Sequence, residues 1–158
     1  MRKSAVNLPE SSRKKVVETL NQSLADGIDL YGQIKVAHWN LKGALFASLH
    51  PLFDSFAGTV SDHNDTIAER AVVLGGLAKG VLSHVVQTTR LPKYPADTTK
   101  DLEHVQLLVK SLNAYLEGIH GACDIADKQK DSVTVDMLNA IAMEHEKQVW
   151  FLLATLDK

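Results

Sequence analysis

This chain of 158 residues has one cysteine, four prolines, no excess of basic charge and no apolar run long enough to cross a bilayer, and each shortage removes a class of protein. The lone Cys123 excludes an internal disulfide framework and suits a reducing compartment. Its helical spacing from Leu116 and Ile119 places it in the core by expectation. The opening segment MRKSAVNLPESS lacks the apolar stretch of a secretory signal, so the expectation is a soluble, cytoplasmic protein with no membrane partner. Lysine and arginine number 17 against 19 aspartates and glutamates, a formal net charge of −2. Nucleic-acid binders usually carry a basic excess or patch, so any DNA contact here has to be local. Strand-type alternation, internal repeats and low-complexity segments are also missing. What remains, at 45% hydrophobic residues, is the length of a single domain, 1–158, that can bury a real core, with residues 1–10 as a short flexible tail.

The hydrophobic pattern that is present has a helical period. Val17, Leu20, Leu24, Tyr31 and Ile34 mark a first amphipathic helix from about Ser11 to Trp39, opened by Pro9 and the capping candidates Ser11 and Ser12. The connection Asn40 to Ala47 contains Gly43 and is short, so the second helix returns antiparallel. Its expected start is His50-Pro51 and its expected end Leu74, before Gly75-Gly76. A long connection follows, from about Gly75 to Asp97, with room for one short helix around Val81 to Val86. The third helix begins near Thr98 or Thr99 and carries Leu102, Val105, Val109, Leu112, Leu116 and Ile119 on one face. A polar link, Asp127 to Asp131, leads to a fourth helix with Leu138, Ala142, Val149, Leu152 and Leu156 in register. Short, long and short connections predict an all-α, ferritin-like four-helix bundle, two antiparallel hairpins joined by a crossover that carries the short helix.

His38, His50, Asp54, Asp65 and Glu69 put five metal-type side chains into 32 residues, the last four as two i,i+4 pairs. On one helix these four fall within a stripe of about 100°, opposite the apolar Leu52, Phe56, Val60, Ile67, Ala71 and Leu74. An ordinary solvated face also carries carboxylates at this spacing, but it normally interleaves lysines and arginines. This face has only Arg70 at its edge, with the small Gly58 and Ser61 between the pairs. Asp54 and Asp65 are nonetheless about 16 Å apart along the axis, too far to share a metal whose bonds are about 2 Å. A second copy of the helix, antiparallel across a two-fold axis, removes the difficulty. Residue i then faces residue j at constant sum, and His50 with Glu69 has the same sum as Asp54 with Asp65, with the axis between Thr59 and Val60. Gly58 and Ser61 let the backbones approach there. The spacing predicts two equivalent sites per dimer, each with His50 and Asp54 from one subunit and Asp65 and Glu69 from the other. His38 ends the first helix on the stripe of Leu24 and Tyr31, where a packed histidine is the simpler reading, yet its short link to His50 lets both imidazoles reach one mouth. Nitrogen and carboxylate donors without thiolate suit Fe(II), Mn(II) or Zn(II), and ligand type does not choose among them.

The segment AHWNLKG (Ala37 to Gly43), His50 with Asp54, and DHNDTIAERAVVLGG (Asp62 to Gly76) together resemble the signature of the Dps family, mini-ferritins named as DNA-binding proteins from starved cells. The likeness covers nearly all of the chain, and no ligand position departs from the pattern. It implies intersubunit ferroxidase residues: His38, His50 and Asp54 of one protomer with Asp65 and Glu69 of its two-fold neighbour. It also implies a homo-oligomer, a dodecameric hollow shell that oxidises Fe(II), preferentially with hydrogen peroxide rather than oxygen, and stores iron as ferric oxyhydroxide. Trp39, next to His38, is implied to lie near the centre and to intercept stray radicals, while an interface anchor is the competing reading. Carboxylates around the last link, Asp124, Asp127, Asp131 and Asp136, are implied to line acidic pores that attract Fe(II). The competing reading is capping and solubility, since Asp131 is well placed to begin the fourth helix. Two alternatives accompany the ferroxidase expectation: zinc-occupied centres with weak activity, and DNA compaction as the main role. For DNA, Arg2, Lys3, Arg13, Lys14 and Lys15 are diluted by Glu10 and Glu18, and the chain ends on Asp157-Lys158, although many copies multiply a weak contact.

The remaining histidines have simpler readings. His63 and His145 fall among core-facing positions and are expected as packed, hydrogen-bonded side chains. Glu117 and His120 spell Glu-x-x-His, but an intrabundle di-iron centre needs two copies plus further glutamates, and the last helix offers only Glu144-His-Glu-Lys147. His84 and His104 have no partner at ligand spacing and are expected at the surface or in packing.

Overall fold

The computed structural model describes residues 1–156, so the Asp157-Lys158 end lies outside the described residues. Five helices follow one another: α1 Glu10–Asn40, α2 Phe46–Val73, α3 Leu82–Thr88, α4 Asp101–Lys128 and α5 Ser132–Leu156. The four long ones form the expected bundle, α1 with α2 and α4 with α5 as hairpins, and α3 sits in the crossover. Among the described residues there is no strand, only an isolated bridge between Lys42 and Lys100. The inward stripes close on one cluster in which Leu20, Leu30, Phe53, Ile67, Leu112 and Leu138 are fully buried. Each such side chain contributes about 1.5–3 kcal/mol when removed from water, which is what holds helices of this length in place. No helix among the described residues is long and apolar enough to cross a membrane.

Helix boundaries differ from the sequence expectation where side chains outside the helix supply its caps. α2 starts at Phe46, four residues before His50, so Pro51 lies inside the helix rather than at its opening. The turn is set by Gly43 at φ 142° and by Asp101, whose Oδ2 accepts the Leu45 N–H at 3.0 Å. The N–H that Pro51 lacks would have served the carbonyl of Ala47, and both residues are exposed, so water replaces it cheaply. Asp101 also accepts the Leu102 N–H at 2.9 Å. The Leu45 bond first, then that of Leu102, holds its carboxyl below the ordinary aspartate range. α4 begins at this residue, after Thr98 and Thr99. The last link shortens to residues 129–131, with Lys130 at φ 60°.

A ladder of polar side chains on α1 orders the long crossover. Asn21 Nδ2 donates to the Leu77 carbonyl (2.9 Å), and its Oδ1 accepts the Lys79 N–H (2.7 Å). Gln22 reaches the Thr88 carbonyl, and Gln33 that of Pro92. Asp26, only 1% exposed, accepts the Arg90 backbone N–H and its guanidinium at 2.6–2.9 Å. The first nine residues, expected as a flexible tail, are irregular but anchored. Their reason is the set of α2 carbonyls that lack intrahelical partners. Arg2 N–H donates to Gly75 (2.7 Å), Ser4 Oγ to Val73 (2.7 Å) and Arg13 Nη1 to Leu74 (2.8 Å). Cys123 lies at the rim of the core rather than in it, half-buried, with its thiol 3.2 Å from Asn139 Oδ1.

Candidate metal centre

Two of the five candidate ligands, His38 and His50, pack on each other where the end of α1 passes the start of α2, with Asp54 beside His38. His38 Nδ1 lies 2.8 Å from the His50 carbonyl oxygen, and His50 Nδ1 lies 3.0 Å from that of His38. A carbonyl can only accept, so both Nδ1 atoms carry a proton and Nε2 is the nitrogen of each ring left for a metal. The rings stack at 3.8 Å between centroids, and Phe46 covers His50 at 4.9 Å. A backbone acceptor on one ring nitrogen is the arrangement that orients an imidazole to bind a metal through the other. His38 Nε2 is 3.9 Å from Asp54 Oδ1, a gap that one ion with bonds of about 2 Å can bridge. The donor set and its spacing therefore fit a hard or borderline divalent cation.

A residue absent from the sequence candidates also enters. Lys35 Nζ donates to Asp54 Oδ1 at 2.7 Å. That hydrogen bond and the lysine charge hold the Asp54 carboxyl below its ordinary range, with smaller help from His38 and His50. The same ammonium stands 5.8 Å from the centre of the Trp39 ring, which is 68% exposed. The signal was in the sequence: Lys35 precedes His38 by three and Trp39 by four, so all three share one side of α1. In this structure a lysine charge balances the carboxylate that a metal would neutralise.

Asp65 and Glu69 do not join this group. Both are exposed on α2, about 16 Å and more along the helix from Asp54. Among the described residues, no three His, Cys, Asp or Glu side chains gather around a common point within the protomer. Gly58, between the two pairs, is exposed, and a Cβ built on it would meet nothing within 4 Å.

The other polar candidates are absorbed by packing. His63 Nδ1 is 3.0 Å from His145 Nε2, and His145 Nδ1 is 2.8 Å from Gln148 Oε1. Burial pushes the His145 imidazole down to about 4 and lowers that of His63, so both are neutral. His104 is fully buried against the Tyr94 hydroxyl at 2.6 Å, and His84 packs beside Thr88. Glu117 and His120 are exposed, and His120 faces Glu146 at 3.5 Å, outside the bundle core. Asp131 follows the capping reading: it is 3% exposed and caps α5, accepting the Thr134 N–H (3.2 Å) and hydroxyl (2.6 Å) while Arg70 donates to it at 2.7 Å. Asp124, Asp127 and Asp136 are exposed.

Comparison with known proteins agrees with the fold. The Ferritin family model, a ferritin-like domain, matches residues 17–158. The DNA protection during starvation protein of Agrobacterium fabrum is 41% identical over 156 residues, covering 99% of this chain and 96% of that one. DpsC from Streptomyces coelicolor superposes with a TM-score of 0.93 and 31% identity, over 99% of this chain and 92% of that one. A Dps protein from Vibrio cholerae O1, described as a member of a broad superfamily of ferritin-like diiron-carboxylate proteins, gives a TM-score of 0.92 at 25% identity, over 99% and 98% of the two chains. With a ferritin-like domain matched over residues 17–158 and relatives matched at nearly full length, the chain belongs to the Dps family.

Proposed function

We propose that this protein is an iron-storing ferroxidase that takes Fe(II) as substrate at sites shared between two-fold related subunits of a dodecameric cytoplasmic shell. It oxidises Fe(II) preferentially with hydrogen peroxide and retains the ferric product, which spares DNA from oxidative damage. The observation that carries this reading is the divided ligand set. His38 and His50 are locked by each other's carbonyls, with the His38 Nε2 facing Asp54, while Asp65 and Glu69 stand exposed further along α2. The matching sums bring the second pair opposite His50 and Asp54 of another copy, across the open face at Gly58.

The chemistry follows from the donors. One peroxide accepts one electron from each of two ferrous ions and two protons, giving two waters and two ferric ions. Taking both electrons at one site avoids releasing the hydroxyl radical that a single-electron step leaves. Carboxylates favour the harder ferric product, and Asp54, Asp65 and Glu69 supply them. Lys35 leaves Asp54 as the metal enters, and Trp39, exposed beside it, is placed to quench a stray oxidant.

The test compares Fe(II) oxidation by peroxide and by oxygen, followed by sizing of the product. Fast peroxide oxidation with a dense core inside an intact shell is expected; rates equal to protein-free buffer would remove the reading. Metal analysis of protein purified without added metal addresses the same donors differently, because full zinc occupancy with slow oxidation would replace iron by zinc. DNA compaction as the main role has less support, because the net charge is −2 and Glu10 and Glu18 dilute the basic residues of the N-terminal segment. Gel shifts at low salt check it, and retardation there would restore it.

A further inference from the structure

The N-terminal segment, the first half of α1 and the crossover enclose a cavity of about 570 Å³ that contains none of the metal ligands. Its inner wall is apolar: Val17, Gly75 and Gly76 are buried there, with Leu77 alongside. The two glycines make the wall flat, since Gly75 sits at φ 88° and a Cβ on Gly76 would collide with Val17. The mouth is charged. Arg2, Lys14 and Lys79 line it with a single carboxylate, Glu18, and all four are exposed. None of the ion pairs among the described residues involves any of them. A chain with a net charge of −2 thus gathers three basic side chains and one acid around a single opening.

The wall is also held in advance of any ligand. Asn21 fixes the backbone of Leu77 and Lys79, and the Arg2 N–H is tied to Gly75. Thr88 and His84, 3.4 Å apart, add hydroxyl and ring nitrogen to the lining. Small-molecule sites are typically apolar concavities of about 300–1,000 Å³ with a few polar groups that fix orientation. Arginine and lysine together are the usual recognisers of phosphate, and preformed donors reduce the ordering cost of binding. Inorganic phosphate alone would leave most of this volume unfilled.

We propose that the cavity binds a small phosphate monoester of nucleotide size, its phosphate at Arg2, Lys14 and Lys79 and its less polar body against Val17 and Leu77. The site is independent of the metal centre, so either can fail without the other. The experiment is calorimetric titration of the full-length assembled protein with adenosine monophosphate, adenosine and inorganic phosphate at low ionic strength. Adenosine monophosphate is expected to saturate one site per chain, with inorganic phosphate at least tenfold weaker and adenosine weaker still. In a Lys14→Gln/Lys79→Gln variant its affinity falls at least tenfold, while peroxide-driven iron oxidation is unchanged. No binding of adenosine monophosphate, or equal affinity in the variant, overturns the proposal. So does displacement of the nucleotide by a short DNA duplex that binds more tightly, which would make the cavity part of a nucleic-acid contact.

Discussion

α2 carries ionisable side chains on two faces, and the fold treats them in opposite ways. Inward, His63 donates to His145, which donates in turn to Gln148, and burial keeps both imidazoles neutral. Outward, His50 spends one nitrogen on a carbonyl, Asp54 leans on a borrowed lysine, and Asp65 and Glu69 have no side-chain hydrogen-bond or ion-pair partner among the described residues. A buried polar group must find its partners inside the chain or destabilise it; an exposed one in water can wait for a ligand. The inner chain therefore reads as structure, and the outer one is the face on which the proposed function rests, although both use histidine and sit two residues apart at His63 and Asp65.

Removing the outer carboxylates should break the contrast most sharply. Asp54→Ala with Glu69→Ala is expected to slow peroxide-driven iron oxidation about a thousandfold, equivalent to roughly 4 kcal/mol in the barrier. The melting temperature should hardly move, because exposed positions away from caps and cores usually contribute within about 0.5 kcal/mol. Stopped-flow oxidation and thermal melts on the same preparation read both. Unchanged rates would refute the site, and a large fall in melting temperature would show the outer face to be structural after all.

The inner face answers to pH instead. His145 has its pKa held near 4 in the fold against an ordinary 6.5, mainly by burial. Between those values the unfolded chain binds a proton that the folded one refuses, so stability rises with pH across the window and is lost as pH falls from about 6.5 toward 4. Full titration corresponds to roughly 3 kcal/mol per chain. His63 is shifted the same way, and Glu144 and Asp62 oppose its shift. Denaturant midpoints measured from pH 7.5 down to 5 should decline below 6.5, and His145→Gln should flatten that decline. A flat wild-type profile would mean that the inner imidazoles accept protons as readily as exposed ones.

How much of this was legible beforehand differs between the two faces. The helical period of the apolar residues sufficed for four long helices and the crossover, because a bundle is specified by a stripe on each helix. That His50, Asp54, Asp65 and Glu69 share one outward face was also legible, since a helix converts i,i+4 spacing into position without knowledge of the fold. Helix ends were less so: the start of α2 depends on Asp101, which lies 56 residues from the Leu45 N–H it caps. Asp131 was readable as a cap for α5, but its bond to Arg70 joins the end of α2 to the start of α5 and has no local signature. Lys35 was missed for a different reason, being one more lysine on an exposed stretch until α2 is folded against it.

That Asp131 junction supplies a third, smaller effect. Asp131→Ala removes the cap on α5 and leaves Arg70, which also bonds Thr134, without its carboxylate. A loss of about 2 kcal/mol in unfolding free energy is expected, with iron oxidation at the outer face retained. Urea titration gives the first quantity, and the oxidation assay the second. If iron entry slows while stability holds, Asp131 belongs to a pore, and the division between structural and functional carboxylates has to be redrawn.

The smallest effect tests whether Lys35 opposes or assists the metal. Its ammonium and the incoming cation compete for Asp54 Oδ1, the atom that the lysine holds at 2.7 Å. Asp54 is exposed and water screens charges around it, so Lys35→Met should tighten binding of a divalent cation by only about three- to tenfold. The gain should shrink as salt is added. Anaerobic titration with Fe(II) at two ionic strengths measures it. Weaker binding in the variant would mean that Lys35 orients Asp54 toward the centre, and the carboxylate would then be as internally supported as His63, leaving Asp65 and Glu69 alone as side chains that wait for a partner.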